Sequence, residues 1–217
     1  MSTPLRVFVC EDDPRMRAHL VRSLGQDPGL VVVGEAPTAE LALEAIGPGS
    51  CDVLLLDLEL PGMDGISLIG HLPPPPAGPE VLILTTFADA DRVFDAIRKG
   101  AAGYLVKGVE ASRLSEALQE VAAGGTVIEP RLARRFWNLF EASRGHPGDP
   151  DSLGLTAEEI EVLTLAARGL TNPEVSLTLG TSRRRVKSHL ESIYRKLGVA
   201  GRVEAVLKAC GAGLITL

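Results

Sequence analysis

Five short apolar runs with helical segments between them restrict the folding of this chain more than any other feature. The runs are LRVFVC (5–10), LVVVGE (30–35), DVLLLD (52–57), EVLILT (80–85) and GYLV (103–106). Amphipathic segments near 14–26, 38–47, 64–72 and 89–99 lie between successive runs, and one near 111–123 follows the last. Runs that are apolar at successive positions are buried on both faces. Strands of that kind alternating with helices form a parallel, doubly wound sheet.

Five βα units within residues 1–125 fit a flavodoxin-like, five-stranded arrangement. The proline run in HLPPPPAGPE (71–80) reads as a stiff connection from a helix to the fourth strand. After residue 124 the strand signal stops. PRLARRFWNLFEAS (130–143) has the pattern of an amphipathic helix, and RGHPGDPDSLG (144–154) has the composition of a flexible linker. From Thr156 the pattern is helical only, over 156–168, 171–178, 182–196 and 200–210. Thr156 and Glu159 make a capping box, and Gly180 and Gly198 stop two of the helices. The expected division is therefore 1–125, an α/β domain; 126–152, a linker helix and flexible linker; and 153–217, an all-α four-helix domain.

Charge divides the same way. Residues 153–217 carry 9 Lys+Arg and 6 Asp+Glu, a net of +3, which leaves −9 of the total −6 on residues 1–152. An acidic front and a basic tail indicate two modules with different partners. No apolar run approaches the roughly 18 residues of a membrane span. The N-terminal residues carry no charged leader, long apolar stretch or small-residue cleavage site, so the expected location is cytoplasmic, with no membrane partner. The three cysteines, Cys10, Cys51 and Cys210, are far apart and show no metal-ligand spacing; they read as packing residues.

In DVLLLDLELPGMDG (52–65) a buried run ends in a carboxylate, which is costly unless the group is paired, metal-bound or exposed at the strand tip. Open α/β sheets bind ligands beyond the carboxyl ends of their strands. There the sequence puts Glu11, Asp12 and Asp13 after the first strand, Asp57 and Glu59 after the third, Thr85 and Thr86 at the fourth, and Lys107 after the fifth. Clustered carboxylates call for a cation, and hard oxygen ligands suit Mg²⁺, which favours phosphate-bearing partners. A carboxylate beside it can attack a phosphoryl group, with a lysine and a hydroxyl to hold the phosphoryl oxygens. Asp57 is placed as that nucleophile.

VFVCEDD, LLLDLELPGMDG, ILTT and GYLVKG, in this order and at these strand positions, make residues 1–125 resemble the receiver domain of bacterial two-component response regulators. The resemblance implies phosphorylation of Asp57 by a cognate histidine kinase, with Mg²⁺ or Mn²⁺ as cofactor. It implies metal ligation by Asp12 and Asp57, with Glu11 as the other member of the acidic pair and the backbone carbonyl of Glu59 completing the set. Thr85 matches the switch hydroxyl, Tyr104 the switch aromatic and Lys107 the conserved-type lysine; Asp13 stays outside the inner shell. Two departures stand out. Glu11 replaces an aspartate and reaches further, and Gly108 follows Lys107 where many receivers have proline, often preceded by a cis peptide.

In the tail, Val186, Leu190, Ile193 and Leu197 share a narrow arc at helical spacing. Arg184, Lys187, Ser188, Glu191 and Arg195 lie opposite, flanked by Arg183 and Arg185. A short helix, a glycine turn and a second helix with a basic leading end make a helix-turn-helix pattern, whose second helix enters the DNA major groove. RGLTNPEVSLTLGTS and VKSHLESIYRKLGV also resemble the output domain of NarL/LuxR-type regulators. That implies base contacts by Lys187, Ser188 and Glu191, phosphate or flanking contacts by Arg183, Arg184, Arg185 and Arg195, and dimerisation through 200–210. Arg184-Arg185 departs from a pattern that often has threonine just before the valine. His189 and Tyr194 read as packing or phosphate-facing residues, not metal ligands.

The combined expectation is a phosphorylation-controlled transcription factor: a non-enzyme, at most self-phosphorylating from phosphodonors and slowly losing its own phosphoryl group. It would bind double-stranded DNA and dimerise when phosphorylated. Two alternatives stand beside it, a phosphate-independent interaction module on a DNA-binding protein and an aspartyl-phosphatase-like enzyme with Glu59 as general acid.

Overall fold

The computed structural model describes residues 3–75, 77–86, 90–127 and 153–215. The helix expected over 130–143 and nearly all of the linker lie outside the described residues. The five expected strands form: β1 (Leu5–Cys10), β2 (Leu30–Ala36), β3 (Val53–Leu56), β4 (Glu80–Thr85) and β5 (Gly103–Val106). They make one all-parallel sheet of order β2-β1-β3-β4-β5. The connecting helices are α1 (Pro14–Leu24), α2 (Ala39–Ala45), α3 (Gly65–His71) and α4 (Ala90–Arg98), with α5 (Ala111–Ala122) after β5.

Alternation along the strands sorts side chains to two faces. Leu54, Leu56, Ile83 and Tyr104 pack with Leu68, Val93 and Ile97 of α3 and α4. Val7, Val9, Leu55, Leu82 and Leu84 pack with Leu20, Leu24, Leu114 and Leu118 of α1 and α5. Strand order reverses between β1 and β3, which opens a crevice at their carboxyl ends. The β3 strand ends at Leu56, one residue short of the run in the sequence, although Asp57 still donates its N–H to Cys10 O at 2.9 Å. The chain after α5 returns to the sheet: Tyr104 N–H donates to Val127 O at 2.7 Å and Gly103 bridges Val127 in parallel. The packed α/β unit thus includes Val127.

The C-terminal helices are α6 (Ala157–Ala167), α7 (Asn172–Thr178), α8 (Arg183–Leu197) and α9 (Arg202–Gly211). They enclose a core of Leu163, Val175, Val186, Leu190, Ile193 and Ala205. The capping box at Thr156 forms, and Gly198 closes α8 in the left-handed conformation at φ 61°. The Glu159 of that box, 4% exposed, also binds Lys196 Nζ at 2.7 Å, tying α6 to α8. Burial pushes its pKa up, but hydrogen bonds from Lys196, the Thr156 N–H and Ser192 outweigh that and hold it at about 2. An acid depressed from 4.5 to about 2 contributes stability above pH ~4.5 that is lost as pH falls toward 2, in total about 3 kcal/mol. Denaturant unfolding of Glu159→Gln followed by circular dichroism will therefore show a less stable C-terminal domain at neutral pH. The gap to wild type will close as pH drops below 4.5.

Candidate functional site

The crevice at the carboxyl ends of β1 and β3 collects the expected side chains. Glu11 and Asp57 are almost fully buried. Lys107, delivered by β5, bridges them: its Nζ lies 2.7 and 2.8 Å from the two Glu11 oxygens and 2.7 Å from Asp57 Oδ2. Asp12 is exposed, with a carboxylate oxygen in a group within 4.8 Å of one from Glu11 and one from Asp57. Asp13 borders the cleft, but its carboxylate caps α1, accepting from the N–H groups of Arg15 and Met16 at 2.7 and 2.8 Å.

The local backbone holds this arrangement. Arg17, one helical turn along α1, donates from Nη1 to the carbonyls of Glu11 at 2.6 Å and Asp12 at 3.2 Å. A Cβ on Gly65 would lie 2.5 Å from Asp57 O, so only glycine lets α3 begin flush against the end of β3. Gly108 has φ +96°, which proline cannot adopt; this accounts for the glycine after Lys107. The Glu59 N–H donates to Asp57 Oδ1 at 3.2 Å, and the Glu59 carbonyl accepts from no other described residue. The Glu59 carboxylate is drawn sideways to Arg92 Nη1 at 3.7 Å.

Thr85 is buried and its hydroxyl has no partner among the described residues. By strand alternation it lies on the Tyr104 face of the sheet, opposite Glu11, Asp57 and Lys107; Thr86, exposed, lines the acidic cleft with them. Tyr104 is fully buried in the α3–α4 cluster, so the aromatic expected to follow the hydroxyl inward already occupies an interior position.

The electrostatics leave room for a further cation. Burial, and then the nearby Asp57 charge, raise the Glu11 pKa despite the pull of Lys107. Burial would lower that of Lys107, but bonds to Asp57 and Glu11 raise it overall. The Glu11 shift is chiefly one of burial, whereas the Lys107 shift reflects the two carboxylates that its ammonium bridges. Three carboxylates and an available carbonyl form an all-oxygen donor set suited to a hard divalent cation, with Thr86 at the edge of the same cleft. Cys10, just below, has its thiol pushed up to about 12 by burial and then by Asp57 and Glu11, so it is an inert packing group.

In the C-terminal domain, Val186, Leu190, Ile193 and Leu197 are buried as their spacing requires. Arg183, Arg184, Arg185, Lys187, Ser188, Glu191 and Arg195 are all exposed. Arg185 binds Glu158 on α6 and Arg195 donates to Ser192 Oγ at 3.4 Å; the other five make no side-chain hydrogen bond among the described residues.

The amino-terminal base of the receiver sheet meets this domain. Asn172 N–H donates to Ala123 O at 2.9 Å. Arg202, 9% exposed, donates to the carbonyls of Gly124, Leu170 and Ala166 and to Asn172 Oδ1. Val203 packs on the receiver's α3–α4 cluster. Lys187, Glu191 and Tyr194 border the seam beside Glu80, whose pKa burial pushes up to about 7 against the pull of Lys187 and Arg202. Sequence reasoning did not find Arg17, Arg92 or Arg202; the first could have been sought as a cation one turn past an N-capping acid, the other two carry no local signal.

Lys107→Met removes the only cation between two buried carboxylates. It will cost the receiver about 2 kcal/mol, part of which Mg²⁺ restores. Urea unfolding with and without Mg²⁺ measures both effects; a variant as stable as wild type and indifferent to Mg²⁺ refutes this account of the site.

Similarity to known proteins follows the same division. Residues 7–119 match the response regulator receiver domain family, and residues 153–209 match the bacterial regulatory proteins of the luxR family. The chain is 35% identical over 208 residues to the nitrate/nitrite response regulator protein NarP of Escherichia coli, covering 95% of this chain and 94% of that protein. It is 34% identical over 206 residues to the DNA-binding transcriptional activator DevR/DosR of Mycobacterium tuberculosis, covering 94% of each. Among solved structures it resembles the response regulator ChrA of a heme-sensing two-component system, with 33% identity, a TM-score of 0.52, and coverage of 98% and 99%. With a receiver domain and a LuxR-type DNA-binding domain in one chain, this protein belongs to the NarL/LuxR-type family of two-component response regulators.

Proposed function

We propose that Asp57 is the phosphoacceptor through which a cognate histidine kinase sets the DNA-binding activity of the C-terminal domain. The observation that carries this is Lys107 bridging Glu11 and Asp57 at 2.7–2.8 Å beside an acidic cleft, with the unpartnered Thr85 hydroxyl at the neighbouring strand tip. An Asp57 oxygen attacks phosphorus and the P–N bond of the kinase phosphohistidine breaks. Lys107, already 2.7 Å from Asp57, remains as counter-charge to a phosphoryl oxygen, and the Thr85 hydroxyl, on the opposite face of the sheet before phosphorylation, is drawn toward another. Asp12, Asp57 and the Glu59 carbonyl, with Glu11 behind them, are the residues to hold Mg²⁺ or Mn²⁺, which supplies charge neutralisation at the transferred group.

The output side follows from α8. Lys187, Ser188 and Glu191 are its base-facing residues, and Arg183, Arg184, Arg185 and Arg195 contact or flank phosphates. In the conformation described, Lys187 lines a cleft with Asp52, Pro75 and Glu80 of the receiver, so the receiver stands in the way of a duplex approaching it and disfavours binding while the seam is closed. Phosphorylation opens the seam and frees α9, whose Val203 is packed on the receiver, to form a homodimer.

The attached LuxR-type domain counts against the phosphatase alternative, and its candidate general acid, Glu59, sits beside the Arg92 cation at 3.7 Å. No described helix is long and apolar enough to cross a membrane, and a regulator that reads DNA works in the cytoplasm.

Incubation with Mg²⁺ and a small-molecule phosphodonor will add one phosphoryl mass to the intact chain. The gain will be absent in Asp57→Asn and without the cation. Phosphorylated wild type will bind duplex DNA more tightly, and Lys187→Ala will weaken that binding about tenfold, as expected for loss of one specific contact. A phosphoryl gain retained by Asp57→Asn refutes the assignment.

A further inference from the structure

The first turn of α8 carries an ion-pair network that the DNA-binding role leaves unexplained. Arg185 Nη2 lies 3.0 and 3.3 Å from the two carboxylate oxygens of Glu158 on α6. His189, one turn further along α8, places Nε2 3.4 Å from Glu158 Oε2 and 3.5 Å from Arg185 Nε. One ring nitrogen cannot accept from the arginine and donate to the carboxylate at once, so the two cationic positions compete around one acid.

Glu158 sits in the first turn of α6, where the positive end of the helix favours an anion. The pair is exposed, at 60% and 62% for the two side chains, and exposed pairs contribute little to fold stability. Its consequence is where the guanidinium goes. Arg185 is turned back over α6, whereas Arg183 and Arg184 beside it make no side-chain hydrogen bond among the described residues. A carboxylate that offers two oxygens to a guanidinium presents the same recognition pattern as a phosphate.

We propose that Glu158 is a built-in stand-in for a DNA phosphate. It holds Arg185, and His189 beside it, away from nucleic acid, and Arg185 engages a duplex by exchanging Glu158 for a backbone phosphate. This rests on the assignment of α8 as the DNA-reading helix. The exchange weakens a contact that carries no sequence information and leaves Lys187, Ser188 and Glu191 untouched, so Glu158 raises discrimination by lowering the sequence-independent part of the affinity.

The test uses the full chain, treated with Mg²⁺ and phosphodonor or untreated. Anisotropy of a labelled short duplex of mixed sequence is measured across a salt series for wild type, Glu158→Gln, Arg185→Gln, the double variant and Glu161→Gln. Glu161 is an exposed acid of the same helix that makes no hydrogen bond or ion pair to Arg185 among the described residues. Glu158→Gln is expected to tighten binding about threefold to tenfold and steepen the salt dependence by about one phosphate contact. The gain is expected to vanish in the Arg185→Gln background, and Glu161→Gln to have little effect. An equal gain with and without Arg185, an equal gain from Glu161→Gln, or weaker binding by a folded Glu158→Gln overturns the proposal. No binding by any form of the wild type overturns the DNA-reading assignment itself.

Discussion

Two carboxylates buried at neighbouring strand ends cannot both stay ionised without a cation between them, and Lys107 is that cation. Its ammonium lies within 2.8 Å of both Glu11 and Asp57, although the three residues come from β1, β3 and β5. The contact fixes the carboxyl edge of the sheet at its switch point, where loops must diverge. Everything else at the site is arranged around it. Asp13 caps α1, Arg17 reaches back to the carbonyls of Glu11 and Asp12, and Gly65 lets α3 start directly beneath Asp57. One lysine does not neutralise three carboxylates, and the remaining negative charge is what the proposed divalent cation would meet.

The sheet and its inward-facing acids were legible because burial on both faces leaves an unbroken apolar run, and an acid that ends such a run stands out. Leu5–Cys10, Glu80–Thr85 and Gly103–Val106 form with the bounds the pattern indicates. The exposed arc of α8 was legible for the complementary reason, since helical spacing alone separates Val186 and Leu190 from Lys187 and Ser188. What escaped was whatever depends on the three-dimensional path of a long side chain. Arg17, Arg92 and Arg202 bind backbone carbonyls or acids brought near by folding, and a basic residue in a polar segment gives no hint of that. The return of Val127 to the edge of β5 escaped because one paired residue after a Gly-Gly turn has no periodicity. Gly108 was visible only as a departure; its positive φ supplies the reason.

The chemistry is concentrated at one end of the sheet and the output domain touches the other. Strand β4 carries Thr85 at its carboxyl tip and Glu80 at its amino tip. Five rises of about 3.3 Å separate these ends by roughly 17 Å. At that separation two unit charges interact by about 1 kcal/mol at an effective dielectric of about 20. If Asp57 is phosphorylated as proposed, direct electrostatics is therefore a minor contributor at the seam, and packing would carry the coupling.

One continuous packed region spans the distance. Tyr104, on the Thr85 face of the sheet, belongs to the same cluster as Val93, Ala96 and Ile97 of α4, and Val203 of α9 packs against that cluster. Where the chain leaves α4, Gly100 runs against Ala200 and Gly201; a Cβ on Gly201 would lie 3.3 Å from Gly100 Cα. Backbones this close cannot absorb a shift of α4 by moving side chains alone. A displacement of α4 must either be resisted by the seam or break it, and Arg202, fixed by three carbonyl-type acceptors of its own domain, crosses the seam to one neutral acceptor, the Gly124 carbonyl. A contact built from close backbone approach and neutral acceptors is exacting in geometry and tolerates little misalignment. On the proposed reading, a small movement at Asp57 would therefore release a whole domain.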